Sequence, residues 1–329
     1  MKKVFKVLLY IVAAIVLIVG GLIAYVKLML PNVGPPPDLK VDITPARLER
    51  GAYLANSVSV CMDCHSKRDW SLFSGPPVEG TFGQGGEEFG PDLGFPGVYV
   101  ASNLTPANLS TWTDGEVFRA ITTGVGKEGR PLFSIMPHHN FGLMDEEDIY
   151  SIIAYIRTLA PIENETKPSE SFFPVNIIVH TIPKKANLQP MPPKNDIVAY
   201  GKYLVTAASC NDCHTKQVEG KFVGEPFAGG FEFIFPDGAM VKSANITPDK
   251  KSGIGDWTTA QFVARFKAYA DSSYVPPKIT PGVFQSPMPW MMYATMNEED
   301  LKAIHAYLQT LTPVNTEIER YTPPAMSSR

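Results

Sequence analysis

Hydrophobic positions fall into three patterns along the 329 residues. The first is unbroken: Lys2, Lys3 and Lys6 precede an uncharged run from Val7 to Val26, and Lys27 closes it. Those 20 residues make about 30 Å of helix, enough to cross the hydrocarbon core of a bilayer. A cleaved secretory signal has a shorter apolar region and a small-residue cleavage site, whereas this run exits as Lys27-Leu-Met-Leu-Pro31, with no cysteine nearby for a lipid anchor. Residues 1–30 are therefore expected to stay as a single-pass anchor. Its lysine-rich end faces inward, and everything after Pro31 lies on the outer, periplasmic side of a cytoplasmic membrane.

The second pattern has the period of a helix. Ile149, Ile152, Ile153 and Ile156 form one stripe, and Leu301, Ile304, Leu308 and Leu311 form its counterpart, which predicts amphipathic helices running to Leu159 and Leu311. Asp145 and Asn297 are placed as N-caps, each followed by acidic residues that suit the positive helix end. Earlier in each stretch, Trp112-Thr113 with Glu116 and Trp257-Thr258 with Gln261 predict capping boxes that start two more helices.

The third pattern is repetition. Gly51-Ala-Tyr53-Leu54 recurs as Gly201-Lys-Tyr203-Leu204, Asn103-Leu-Thr105-Pro106 as Asn245-Ile-Thr247-Pro248, and Met136-Pro137 as Met288-Pro289. The order is the same in both copies, so the chain reads as a duplication. Its parts are a 1–30 anchor, a 31–43 linker, a first half at 44–162, a proline-rich connector at 163–194, a second half at 195–316 and a 317–329 tail. The connector contains Phe172-Phe-Pro-Val-Asn-Ile-Ile-Val179, apolar enough to pack on a domain or a partner. Small Gly51 and Gly201 on each first helix, with Tyr155 and Tyr307 on each last helix, predict a close helix crossing. The 30 prolines and 26 glycines call for much irregular backbone between short helices.

Charge narrows the partners. After residue 30 there are 25 Lys and Arg against 33 Asp and Glu, a formal charge of −8. Nucleic acid needs a basic face and is not an expected partner.

All four cysteines lie in Cys61-Met-Asp-Cys64-His65 and Cys210-Asn-Asp-Cys213-His214. Four cysteines in an exported chain would ordinarily read as two disulfides. The histidine directly after each pair changes that: two thiols at this spacing meet the two vinyl groups on one porphyrin edge, and the imidazole reaches the iron. A redox dithiol or half a zinc site is the alternative for a single copy. Two copies that use every cysteine predict two covalently bound haems c, with His65 and His214 as proximal ligands.

For the sixth ligand, only Met136 with Met288 or Met144 with Met296 recur in both halves. Met144 and Met296 immediately precede a helix N-cap, where an apolar residue serves as packing. Met136 and Met288 sit in irregular loops before proline, which keeps the chain extended and frees the thioether. They are the expected ligands. His138 and His139 are read as surface or propionate neighbours, His180 and His305 as structural or exposed. The expected fold is all-α, with two tandem cytochrome c-type haem domains after one N-terminal transmembrane helix.

The motif order, with Phe227-Ala-Gly-Gly230, Gly253-Ile-Gly-Asp-Trp257 and Ala306-Tyr-Leu-Gln-Thr-Leu311, resembles the cytochrome c subunits of membrane-bound alcohol and gluconate dehydrogenases over residues 51–316. The resemblance implies His/Met ligation and electron delivery from a dehydrogenase subunit toward quinone or a terminal oxidase. The chain departs in having two haem motifs rather than three, in its N-terminal anchor, and in a first half without the Phe-Ala-Gly-Gly and Gly-Ile-Gly forms. The expected role is electron transfer, as a tethered shuttle or a subunit of a dehydrogenase, quinol-oxidising complex or terminal oxidase, with no small-molecule substrate. A di-haem peroxidase-like enzyme is the alternative, and it requires one iron to open for peroxide.

Overall fold

The computed structural model describes residues 2–280 and 282–324, so the last five residues of the expected tail lie outside the described residues. Helix α1 (Lys2–Met29) buries none of its side chains and packs near its exit on the short helix Val175–Ile178 and the turn Val179–Thr181.

Six further helices form two triplets. The first is α2 (Pro45–Tyr53), α3 (Asp114–Thr123) and α4 (Glu146–Arg157); the second is α5 (Ile197–Ala207), α6 (Thr259–Lys267) and α7 (Glu298–Leu308). Both expected capping boxes form, at Thr113/Glu116 and Thr258/Gln261. Asp145 caps α4 by accepting from Glu147 N, whereas Asn297 makes no side-chain cap bond. The isoleucine stripe of α4 is buried, as are Leu301, Ile304 and Leu308 of α7. Both last helices end short of Leu159 and Leu311, which pack on the core from the loops that follow.

First and last helices cross at a glycine in each half. A Cβ on Gly51 would lie 1.8 Å from Ser151 O and 2.9 Å from Tyr155 Cβ; on Gly201 it would lie 1.9 Å from Ala303 O and 3.0 Å from Tyr307 Cβ. No side chain fits at either crossing, so the helix backbones themselves are in contact.

The fold is mostly helical, and to the expected all-α plan it adds short antiparallel pairings. β1 (Glu88–Phe89), β2 (Gly97–Val100) and β3 (Glu170–Ser171) form one sheet in that order, with Glu88 opposite Val100 and Gly97 opposite Ser171. β4 (Gln217–Val218) and β5 (Lys221–Phe222) make a hairpin. β6 (Glu232–Ile234), β7 (Met240–Lys242) and β8 (Tyr321–Thr322) form the second three-stranded sheet. Strands of two to four residues are too short for alternation to show in the sequence. β3 comes from the connector and β8 from the expected tail, so each half's trailing segment returns to close its own sheet.

The halves meet across a pseudo-twofold set of hydrogen bonds. Tyr53 OH donates to Asp300 Oδ2 at 2.6 Å and accepts from Asn297 N at 3.1 Å; Tyr203 OH donates to Asp148 Oδ2 at 2.6 Å and accepts from Asp145 N at 3.2 Å. Each carboxylate also has a partner in its own half. Arg50 donates Nε and Nη2 to Asp148 at 2.8 and 2.7 Å, and Tyr200 OH donates to Asp300 Oδ1 at 3.1 Å. Asp148 and Asp300 are both buried, which is tolerable only with partners of this kind.

Candidate functional site

In the first half α2 continues into a single π-helical turn, Leu54–Val58, before the cysteine motif. That turn accommodates one extra residue. It explains why ten positions separate Gly51 from Cys61 and only nine separate Gly201 from Cys210. The residue just before each motif is then held in the left-handed region, Val60 at φ 44° and Ser209 at φ 54°. For a β-branched valine that conformation is strained, and the same strain at equivalent places ties it to the turn that presents the cysteines.

Cys61–Cys64 and Cys210–His214 are short helical turns, and their four thiols are unbridged. Burial pushes the Cys61 and Cys64 thiols up to about 12. His65 Nδ1 lies 2.7 Å from Ser102 O, and His214 Nδ1 lies 2.8 Å from Ala244 O. A carbonyl only accepts, so Nδ1 carries the proton in both rings and the lone pair is on Nε2. Burial lowers the pKa of each imidazole below its ordinary value, against the raising effect of that carbonyl. Each histidine is thus held neutral, with Nε2 free of protein hydrogen bonds among the described residues.

The loop behind each histidine is also the same. Gly85 N donates to His65 O at 2.9 Å and Gly86 N to Ala101 O at 2.8 Å; Gly229 N donates to His214 O at 2.7 Å and Gly230 N to Ser243 O at 3.0 Å. Gly83-Gln-Gly-Gly86 therefore occupies in the first half the place of Phe227-Ala-Gly-Gly230. The correspondence is hidden in the sequence because only the two glycines persist. They are required: Gly85 and Gly229 have φ 69° and 76°, and a Cβ on either would lie 2.5 Å from a backbone carbon. Downstream, Thr105 and Thr247 each bond an asparagine Oδ1, and those asparagines, 103 and 245, donate Nδ2 to Ile162 O at 2.8 Å and Val314 O at 2.7 Å.

The two methionine pairs separate clearly. Met144 and Met296 are fully buried in the core, 0 and 1% exposed, as packing residues. Met136 and Met288 are partly exposed in matching turns, in which His138 N donates to Met136 O and Trp290 N to Met288 O, both at 2.8 Å. Each turn leads into a short helix that packs across the interface. His138–Phe141 lies against α5, and Trp290–Tyr293 lies against the π turn that precedes Cys61. His139 and Asn140 bond the Asp212 carboxylate, inside the second cysteine motif, at 3.2 and 2.9 Å. Ser74 Oγ donates to Met288 O, and Ser57 bonds Thr295 at 2.7 Å. Tyr293 OH donates to Ala208 O at 3.0 Å; burial and then the proximity of Cys210, Cys213, Asp63 and Cys64 push its phenol up.

His138 is not at the surface. It is 2% exposed, lies against Gly124, and its Nε2 has no partner among the described residues. Ser59 Oγ and Ser209 Oγ, beside the two motifs, are likewise buried without partners among them. Orphaned buried polar atoms are costly and mark places where a further group satisfies them. His305 is buried against Phe262 and bonded by Thr259 and Gln309, and His180 bonds Leu30 O. Among the described residues no group of three or more His, Cys, Asp or Glu side chains is arranged to hold a metal by itself. The donor sets fit covalent haem: paired free thiols, an oriented neutral imidazole, and unsatisfied polar atoms around them.

The chain is similar to known cytochromes c. Residues 198–312 match the cytochrome c family model. The chain resembles the cytochrome c subunit of alcohol dehydrogenase (quinone) from Gluconacetobacter polyoxogenes, 25% identical over 300 residues, covering 85% of this chain and 59% of that protein. It also resembles the gluconate 2-dehydrogenase cytochrome c subunit of Pantoea cypripedii, 24% identical over 232 residues, 65% of this chain and 49% of the relative. A diheme cytochrome c-type protein of Cereibacter sphaeroides is 24% identical over 266 residues, 77% of this chain and 82% of its own length. The chain spans about half the length of the dehydrogenase subunits it matches.

Proposed function

We propose that the chain is a membrane-anchored di-haem c-type cytochrome that passes electrons on the periplasmic side of the cytoplasmic membrane, between a dehydrogenase and a quinone-linked or terminal-oxidase acceptor. In this reading residues 44–162 and 195–316 are two haem domains. Cys61 and Cys64 hold one haem c, and Cys210 and Cys213 hold the other. His65 and Met136, and His214 and Met288, are the axial ligand pairs. The observation that carries it is the duplicated presentation of an unbridged Cys-x-x-Cys turn followed by a histidine whose Nδ1 is anchored on a carbonyl.

A haem c supplies a one-electron couple whose potential depends on axial ligands and burial. The protein's part is to hold geometry. Ser102 O and Ala244 O set the tautomer and orientation of the two imidazoles, as carbonyls behind metal-bound histidines do. Strained Val60 and Ser209 turn each cysteine pair out from its helix. The Met-Pro turns of each half, or the short helices they lead into, are braced by the other half, Met288 by Ser74 and the segment after Met136 by Asp212.

The test is optical and near-infrared spectroscopy through a redox titration of the purified full chain. Two one-electron transitions and the weak sulfur-to-iron band in the oxidised protein are expected. Met136→Ala and Met288→Ala should each remove about half of that band, while Met144→Leu and Met296→Leu leave it intact. Bis-histidine spectra at either centre would refute the ligand assignment.

A further inference from the structure

Three large apolar side chains of the connector stand in solvent: Phe172 is 44% exposed, Phe173 79% and Ile178 50%. Their location is specific. The patch is tied to the first half on one side, since β3 (Glu170–Ser171) pairs with β2 and Phe172 N donates to Pro96 O at 3.0 Å. It is tied to the end of α1 on the other, since the helix Val175–Ile178 packs on α1 and His180 Nδ1 donates to Leu30 O at 3.1 Å. The patch therefore lies where the anchor leaves the membrane, at the depth of Lys27, whose side chain belongs at the phosphate level.

We infer that the Phe172–Ile178 turn inserts into the lipid–water interface beside the anchor, so that the chain grips the bilayer at two points and the first half is held against the membrane surface. This rests on the anchor reading of residues 1–30. Aromatic and aliphatic side chains at the edge of a membrane-entry point gain by burial in the acyl–headgroup boundary. Exposed Lys184 and Lys185 follow four residues after His180 and complement anionic phospholipid at the same level. A cleft of about 780 Å³ opens between the last turn of α1, the connector and the 128–133 loop; with Lys27, Arg130 and His180 on its walls, it leaves room for headgroups beneath the turn. The consequence is orientation: a single helix would let the domains swing, whereas two contacts hold the first cysteine motif at a set height above the bilayer.

The experiment uses the full chain with its haems in place, reconstituted in vesicles of phosphatidylcholine and phosphatidylglycerol. Nitroxide labels are attached separately at Phe173→Cys, Ile178→Cys, Val16→Cys within the anchor, and Lys250→Cys as an exposed control, whose side chain is 82% accessible. Relaxation by oxygen, which concentrates in lipid, is compared with relaxation by a water-soluble nickel chelate. Oxygen should dominate at 173 and 178, giving a ratio between that at 16, in the bilayer centre, and that at 250, where nickel dominates. A nickel-dominated ratio at both 173 and 178 overturns the inference, and if 16 is still oxygen-dominated the anchor reading survives alone. A nickel-dominated ratio at 16 refutes the anchor, and with it the two-point grip, whatever the labels at 173 and 178 report.

Discussion

At Gly51 and Gly201 a single hydrogen in place of a methyl sets the separation of two helices. An alanine Cβ within 2 Å of a carbonyl oxygen must push the helices apart, and overpacking of this kind costs about 1–3 kcal/mol or more. Gly201→Ala should therefore lower the denaturation midpoint of the protein while leaving both histidine-anchored motifs chemically intact; an unchanged midpoint would contradict the close crossing. His305 gives a pH dependence. Gln309 Nε2 donates to its Nε2 at 3.0 Å and its Nδ1 lies 3.2 Å from Thr259 Oγ1, so the buried ring is neutral, and burial lowers its pKa below the ordinary 6.5. The unfolded chain then binds the proton more readily than the folded one. Stability from this group is complete above pH 6.5 and declines as pH falls below it. His305→Gln should make the acid-side fall of the denaturation midpoint shallower, and an identical slope in the variant would remove His305 as its source.

Among elements, the capped helices and their apolar stripes were legible because they depend on spacing within a dozen residues. The cysteine motifs were legible for the same reason. What was not legible depends on distant partners: the short β pairings, the Gly83–Gly86 counterpart of the Phe-Ala-Gly-Gly loop, and the burial of His138 behind the Met-Pro turn. The one-residue slippage between the copies was visible in the sequence, but only the π turn at Leu54–Val58 explains it. The least legible feature was the interface, where Tyr53 and Tyr203 read simply as repeated aromatics of a first helix. Their hydroxyls reach the carboxylate of the other half's last helix. The two sites are unequal: Asp148 keeps Arg50 at 2.7 Å, whereas among the described residues Asp300 has two phenols and no cation. A hydrogen bond to a buried charged group contributes about 1.5–3 kcal/mol. Tyr53→Phe should destabilise by an amount in that range and Tyr203→Phe by less, read from denaturant midpoints with unchanged m-values. Equal losses would mean that the arginine does not compensate.

For the whole molecule the decisive matter is whether the two proposed haem irons would be closed. Both halves present the same ligand candidates in the same turns, and each Met-Pro turn is braced by the opposite half, Met288 through Ser74 and the segment after Met136 through Asp212. Opening one iron for a substrate would require breaking that bracing on one side of a pseudo-symmetric pair. A peroxidase needs such an opening and an electron carrier does not. The residues beyond the anchor carry a formal charge of −8, so reduction of a basic redox partner should be fast and should slow as salt screens the attraction over a Debye length of about 8 Å at physiological ionic strength. Redox encounters of this kind use small interfaces, and the charge effect belongs in the association rate rather than in a tight complex. Peroxide distinguishes the two roles most sharply. The half-reduced protein, mixed with hydrogen peroxide and followed by stopped-flow absorbance, should show no catalytic turnover and only slow oxidation, because the proposed His/Met pairs would leave no coordination position for peroxide. Sustained peroxide consumption with a reductant, at the 1–1,000 per second typical of enzymes, would overturn the carrier reading and require that one Met-Pro turn release its iron on reduction of the other.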